Sequence, residues 1–309
     1  MLAPPPPGQR YRARLFYDGT DFDGSQVQPF PRRTVAGTLE AAIATRMQQQ
    51  VRVVPASRTD AGVHARGQAV HFDLHPTSTR RKLPNSDDLH ASLNALLPSD
   101  LRVADIEEAN EIDGAGRPWH ARRWATGKLY SYRLSVGRSR SYDPLGRRSR
   151  HHAGAALDPE AMREAAAWMI GDVDCAAFAN RRAGEPPPRE MEEAVTRRIV
   201  RSIDVVDEGS GRLRCDFHVK SALFKMVRNM MGLMLAVGCN RYDAADVPEL
   251  IGARDRDRLP PPAPALGLTL ESVYYCTGWD GRYDSPIHTL TAAQRAQWDH
   301  ECLGLSRSG

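Results

Sequence analysis

The stretch Ala56-Ser57-Arg58-Thr59-Asp60-Ala61-Gly62-Val63-His64-Ala65-Arg66-Gly67-Gln68 sets an acid between two arginines in a run broken by glycine. Val51 to Val54 ahead of it and His71 and Phe72 behind it fit strands, so the stretch reads as a loop joining two strands. Loops carried on rigid scaffolds are where catalytic groups concentrate. Two readings of Asp60 stand side by side: a solvated turn held by an ion pair to Arg58, or a carboxylate placed for chemistry. Spacing alone leaves both open.

Upstream, Tyr11, Ala13, Leu15 and Tyr17 alternate with Arg12, Arg14 and Asp18, the period-2 pattern of a half-buried strand, and Asp18-Gly19 breaks it. Val35, Leu39, Ile43 and Met47 recur every fourth residue behind Thr34, a natural N-cap, and predict an amphipathic helix packed on that strand. Downstream, Leu89 to Leu97 read as a second helix and Leu101 to Ile106 as a further strand. A mixture of strands and helices in this order predicts an α+β domain over residues 11–112, after a proline-rich tail at 1–10.

A second domain is expected over 113–285, opening at the glycine-rich Asp113-Gly114-Ala115-Gly116. Tyr130, Tyr132, Leu134 and Val136 alternate with Ser131, Arg133 and Ser135 as a strand. Asp158 as N-cap, Pro159 at the first helical position, the stripe Met162, Ala165, Ala166 and Met169, and Gly171 as terminator make a complete helix signal. Ile199 to Val206 and Leu213 to Val219 predict a hairpin across Gly209-Ser210-Gly211. Ser221 is read as the cap of an apolar helix running to Val237, with Lys225, Arg228 and Asn229 as one narrow polar stripe. Pro260 to Pro264 form an extended connector, Leu266 to Tyr275 a final strand, and 286–309 a tail without assigned function.

With 309 residues and 41% apolar content, the chain is long enough for two cores. Its net charge of +4 is small, yet the basic residues cluster, as in Arg80-Arg81-Lys82, Arg147-Arg148 and Arg197-Arg198, and such clusters together suit a polyanionic partner. Five scattered cysteines without a C-x-x-C pair fit neither a disulfide framework nor a zinc knuckle, which implies a reducing compartment. No stretch is long and apolar enough to span a bilayer, and Pro4 to Pro7 stand where the apolar core of a signal peptide would be. The expectation is a soluble intracellular protein, in the cytoplasm, with organelle or nucleus left open by Arg10, Arg12 and Arg14 near the N-terminus. His64, His71, His75 and His90 lack the carboxylate or thiolate spacing that would complete a metal site, and no metal is expected.

The run around Asp60 closely resembles the signature loop of TruA-type tRNA pseudouridine synthases, and Tyr17-Asp18-Gly19-Thr20 with Gly24 and Gln26 is similar to their N-terminal motif. Further resemblance covers Leu97-Pro98-Ser99-Asp100-Leu101, Trp119-His120-Ala121-Arg122, Lys128-Leu129-Tyr130-Ser131-Tyr132, Met226-Val227-Arg228-Asn229 and Gly267 to Val273, nearly the whole chain outside the tails. The resemblance implies the pseudouridine synthase fold: two ferredoxin-like-derived α/β domains with mainly antiparallel sheets forming a central RNA-binding cleft. It implies an isomerase that breaks the bond from ribose to N1 of uracil, turns the base and rejoins it through C5, with no cofactor, metal or ATP. The implied substrate is tRNA, at uridines of the anticodon stem-loop around tRNA positions 38 to 40, and the implied assembly is a homodimer.

The resemblance places the required carboxylate on Asp60, acting either by attack on the sugar or by removing a proton from it. Such a group must stay ionised in a partly dry pocket, which calls for a cation, and Arg228 matches the family's pairing arginine on an otherwise apolar helix. Tyr130 is expected to stack on the target uracil, or to serve as a core tyrosine, or both. Arg58 is expected to hold the flipped-out nucleotide, Leu270 to line the pocket, and His64 and Arg66 to stand on the RNA-binding side. Ser25 stands where the family commonly has tryptophan, Ala36 where it has glutamine, Ser57 where it has glycine, and Ala222-Leu223-Phe224-Lys225 departs from the usual pattern before Arg228. The first three are expected to touch none of the chemical groups. A second reading, a catalytically weak or inactive RNA-binding relative serving ribosome or RNA assembly, is carried beside the enzyme; retention of Asp60, Arg58, Tyr130 and Arg228 together favours the enzyme.

Overall fold

The computed structural model describes residues 8–76, 82–137, 143–154 and 156–275. The proline run at 4–7, Arg80 and Arg81, Cys276, Cys302 and the tail from Pro286 lie outside the described residues. The chain divides into two compact units, residues 1–126 with 272–309 and residues 127–271. The glycine-rich turn at Asp113–Gly116 lies inside the first of them.

The first unit is built from β1 (Gln9–Tyr17), α1 (Val35–Met47), β2 (Val54–Pro55), β3 (His64–Leu74), α2 (Ser86–Leu96) and β4 (Leu101–Glu108). Its antiparallel strands run in the order β4-β1-β3, with β2 laid on β3. Thr34 caps α1 as its position predicts, its side chain accepting from the Gly37 amide. Helix α2 begins at Ser86, three residues ahead of the first periodic leucine, because Asn85 caps it by accepting from the Asp88 amide at 2.8 Å. It packs on β4 and beside α1.

Strand β1 departs from the half-buried pattern. Arg12 and Arg14 are each only 8% exposed, so both of its faces are covered. Cross-strand acids make this possible: Arg10 meets Asp73, its register partner on β3, through two bonds of 2.7 Å, and Arg12 meets Glu107, its partner on β4, at 3.1 Å and Glu111 at 2.6 Å. A guanidinium buried this far requires such partners, since an unpaired buried charge costs several kcal/mol, on the order of 3 to 5. The expected strand at Val51 to Val54 shrinks to the two residues of β2, and His64 to Gln68, expected within the loop, form the start of β3.

The second unit holds β5 (Ala125–Ser135), β6 (His151–His152), α3 (Pro159–Ala167), β7 (Gly171–Asp174), α4 (Glu193–Thr196), β8 (Arg197–Gly209), β9 (Arg212–Val219), α5 (Met226–Gly238) and α6 (Val247–Gly252). The chain enters it within β5 and leaves it within β10 (Leu268–Tyr275). Its sheet runs β5-β9-β8-β7, all antiparallel, with the short β6 parallel to β5. The predicted hairpin joins β8 and β9 through Gly209, Ser210 and Gly211. Helix α3 carries the predicted cap, Asp158 accepting from the Glu160 and Ala161 amides, but ends at Ala167, and Gly171 opens β7 instead of terminating the helix. The expected α+β fold with mainly antiparallel sheets is what the chain adopts.

Helix α5 starts at Met226, not Ser221: Lys225 sits in the left-handed region at φ 60° and Ser221 makes no cap. The expected polar stripe also fails, because Asn229 is fully buried, its amide nitrogen donating to Phe178 O at 2.6 Å and Asn180 Oδ1 at 2.8 Å. Against α5 lies the proline connector, so close at Gly232 that an added Cβ would stand 2.4 Å from Pro261 O. Gly232→Ala therefore destabilises the protein by about 1 to 3 kcal/mol, the usual range for overpacking. Gly252→Ala, with nothing within 4 Å of its added Cβ, serves as the neutral control in urea unfolding, and equal midpoints for the two variants contradict the packing.

Candidate functional site

The loop from Ala56 to Val63 is held on both of its limbs before Asp60 is reached. The Ala56 amide donates to Ala69 O at 2.8 Å, continuing the pairing of β2 with β3. Gln68 then replaces a backbone rung with its side chain, accepting from the Ser57 amide at 3.2 Å and donating to Ser57 O at 2.7 Å. Thr59 is buried, and every polar group of it that faces inward is engaged. Its amide donates to Ser25 Oγ at 2.8 Å, its carbonyl accepts from the Ser25 amide at 3.0 Å, and its hydroxyl lies 2.8 Å from the Tyr17 hydroxyl. Burial pushes the Tyr17 phenol up to about 12, more than its bonds to Thr59 and Gln68 bring it down, so it stays protonated through the neutral range.

Past Thr59 the chain turns. The Val63 amide donates to Asp60 O at 3.2 Å and Gly62 takes φ 79°, a turn that needs glycine at its third position. Gly24, at φ 98°, brings the β1–α1 connection against the back of the loop, where an added Cβ would stand 2.9 Å from Thr59 O. Alternation along this rigid path leaves Arg58 exposed, Thr59 buried and Asp60 half-buried. Arg66, on β3, is exposed as well. His64 is buried, its Nδ1 lying 3.0 Å from the Gly19 amide and 3.2 Å from Asp18 Oδ1.

In the first unit the structure thus gathers Arg58, Asp60, His64 and Arg66 on one loop and the strand it feeds. Of the positions that depart from the family pattern, Ser25, at 1% exposure, braces the Asp60 loop through its hydroxyl, while Ser57 belongs to that loop and is held through its backbone by the Gln68 side chain. Sequence reasoning missed the bracing roles of Ser25, Tyr17 and Gln68. The available signal was polarity on a strand, since Gln68 is followed by the apolar Ala69 and Val70 and is itself wholly buried.

The second unit holds Tyr130, Arg228 and Leu270. Tyr130 lies on β5 opposite Phe217 and is 4% exposed, and Leu270 on β10 has no exposed surface. Arg228 is half-buried on a helix whose other residues are all buried. Its Nε donates to Ala263 O at 2.8 Å while its own carbonyl accepts from the Ala263 amide at 2.9 Å, so it clamps the proline connector. Tyr132 holds the neighbouring carbonyl, donating to Pro264 O at 2.9 Å, and the Arg228 charge pulls down a phenol that burial raises more strongly. Tyr130 shares the Tyr132 face of β5, two residues away. Among the described residues no group of three or more His, Cys, Asp or Glu side chains is placed to hold a metal ion, and no helix is long and apolar enough to cross a membrane.

A family model described as tRNA pseudouridine synthase matches residues 165–276. The chain is 38% identical over 269 residues to tRNA pseudouridine synthase A of Latilactobacillus sakei subsp. sakei, across 86% of this chain and 99% of the relative. It is 39% identical over 272 residues to the protein of the same name from Myxococcus xanthus, across 87% and 93%. A third relative of that name, from Oleidesulfovibrio alaskensis, is 36% identical over 281 residues, across 86% and 96%.

The Ser25 bond is directly testable. Ser25→Ala strands the buried Thr59 amide, and urea unfolding is expected to show a loss of about 1 to 3 kcal/mol, the cost of an unsatisfied buried donor. An unchanged midpoint contradicts the brace.

Proposed function

Because the chain belongs to the tRNA pseudouridine synthase A family, we propose that it isomerises uridine to pseudouridine in tRNA with Asp60 as the catalytic carboxylate. The enzyme is an isomerase, and the observation that carries Asp60 is its place on a loop whose residues just ahead of it, Ser57 and Thr59, are locked by buried hydrogen bonds. A carboxylate whose position is fixed before substrate arrives needs no reorganisation during reaction. The reaction is balanced within the substrate: the bond from ribose C1′ to N1 breaks, the base turns, the bond from C1′ to C5 forms, and the C5 proton leaves as N1 gains one. Asp60 opens it by attack on the sugar or by removing a sugar proton. The relatives from Latilactobacillus, Myxococcus and Oleidesulfovibrio all carry an enzyme's name, which leaves the assembly-factor reading without support.

The target uridine must leave its stem to reach a carboxylate, at a cost of a few kcal/mol, on the order of one lost stacking and pairing interaction. Arg58 and Arg66, both exposed beside Asp60, are suited to the phosphates and the flipped nucleotide. Buried His64 ties the start of β3 to Gly19, just past β1, and its proposed place remains the RNA-binding side. Tyr130 is the proposed stacking partner of the uracil, Arg228 the proposed cationic group of the catalytic step, and Leu270 an apolar packing residue. Uridines around positions 38 to 40, a homodimer and a cytoplasmic setting are the finer parts of this proposal, supported by the family likeness.

Release of tritium from C5-labelled uridine in tRNA reads the reaction. The natural chain is expected to release it and Asp60→Ala to abolish release while still binding tRNA; full release by Asp60→Ala refutes the assignment. Tyr130→Phe keeps the ring and is expected to retain most of the affinity, whereas Tyr130→Ala loses roughly 1 to 3 kcal/mol of stacking. Equal behaviour of the two Tyr130 variants contradicts a stacking role.

A further inference from the structure

The segment leading from Gly24 to Arg33 is closed at its root and open at its tip. Asp23 makes the closure: its amide donates to Arg33 O at 2.7 Å, its Oδ2 accepts from the Arg33 amide at 3.1 Å, its carbonyl accepts from the Gln28 side chain, and its Oδ1 takes Arg32 at 3.2 Å. Arg33 fixes the root further, with bonds of 2.7 and 2.8 Å to Asp100 and its guanidinium 4.0 Å above the Phe22 ring. From Gln26 to Arg32 every residue is exposed, and Phe30, set between Pro29 and Pro31, is 97% exposed.

A phenyl ring displayed this fully contributes no burial to folding. Single exposed apolar side chains are common and need no explanation by themselves. Phe30 differs in three respects. Its root is rigid, and its proline neighbours reduce the chain entropy lost when the ring is engaged. Its loop is also fastened to the Asp60 loop, through the Thr59 amide to Ser25 Oγ bond and the Ser25 amide to Thr59 O bond. Phe30 lies five residue steps beyond Ser25, a span of at most ~18 Å of chain, so one macromolecule engaged at Asp60 reaches the ring as well.

The chemistry of the tip selects the occupant. It offers one flat ring among the amides of Gln26 and Gln28 and the guanidinium of Arg32, with no acid from Gly24 to Arg32, and the exposed Arg58 and Arg66 stand on the adjoining loop and strand. A protein interface needs a broader apolar centre. A polyanion with unstacked bases fits ring and cations together. Resting on the reading that the chain acts on tRNA, we propose that Phe30 is a stacking platform for an unpaired or splayed base of the bound tRNA, distinct from the uridine handled at Asp60.

The test uses the full chain and an unmodified tRNA transcript carrying C5-tritiated uridine, with affinity and tritium release measured at one fixed salt concentration. Phe30→Ala is expected to raise Kd and KM by roughly 5- to 150-fold, the range that corresponds to loss of one base-aromatic stack, with kcat within about twofold of the natural chain. Phe30→Trp keeps a stacking surface and keeps affinity, whereas Phe30→Leu keeps apolarity without a flat ring and weakens binding as alanine does. Thermal unfolding is unchanged in all three, since the ring packs on nothing. Unchanged affinity in Phe30→Ala, with the natural chain active, overturns the proposal and leaves the enzyme reading intact. Wild-type affinity in Phe30→Leu overturns it too, as does a loss of self-association at unchanged tRNA affinity, which places the ring between copies of the chain. Absence of tRNA binding by the natural chain removes both readings.

Discussion

The bond from the Thr59 amide to Ser25 Oγ, with the return bond from the Ser25 amide to Thr59 O, is the constraint on which the Asp60 loop depends. A loop of this length has no regular ladder of its own, and its buried donors and acceptors must be met individually. Ser25 meets two of them, Tyr17 a third, and Gln68 the pair on Ser57. Each brace is itself fixed: Tyr17 by its place in β1, Gln68 by its place in β3, and Ser25 through the Ala36 amide of α1, which donates to Ser25 O at 3.0 Å. The half-buried position of Asp60 is therefore a property of the first unit's whole core.

The same economy of buried polar groups runs through both units, each considered by itself. In the first, β1 is covered on both faces because its arginines are matched in register by Asp73 and Glu107. In the second, an arginine on a buried helix is tolerated because it clamps the connector at Ala263, and a buried asparagine because it holds the chain at Phe178 and Asn180. These are positions where a polar side chain replaces missing backbone pairing, which fixes local geometry more sharply than an apolar residue does.

Periodicity and capping made most elements legible in the sequence. Thr34, Asp158 and the Gly209–Gly211 turn sit where local rules place them, because caps and tight turns are decided by a few adjacent residues. The failures were long-range. Arg12 and Arg14 looked solvent-facing because their acids come from 95 and 91 residues further along the chain, at Glu107 and Asp105. Ser221 looked like a cap because nothing local revealed that Lys225 would adopt a left-handed conformation. Asp60 was reached through the likeness of its run to a known motif, whereas the side chains that hold it were invisible: Ser25 was read only as a departure, since its partner lies 34 residues away.

Amide hydrogen exchange on the full chain probes the bracing of the Asp60 loop bond by bond, because it reads the Thr59 and Ser25 N–H groups one at a time. Both are expected to exchange only with global unfolding, as slowly as the middle of β1, while Ala61 at the exposed turn exchanges quickly. Exchange of Thr59 at the rate of an open loop would mean that the frame around Asp60 does not exist in solution.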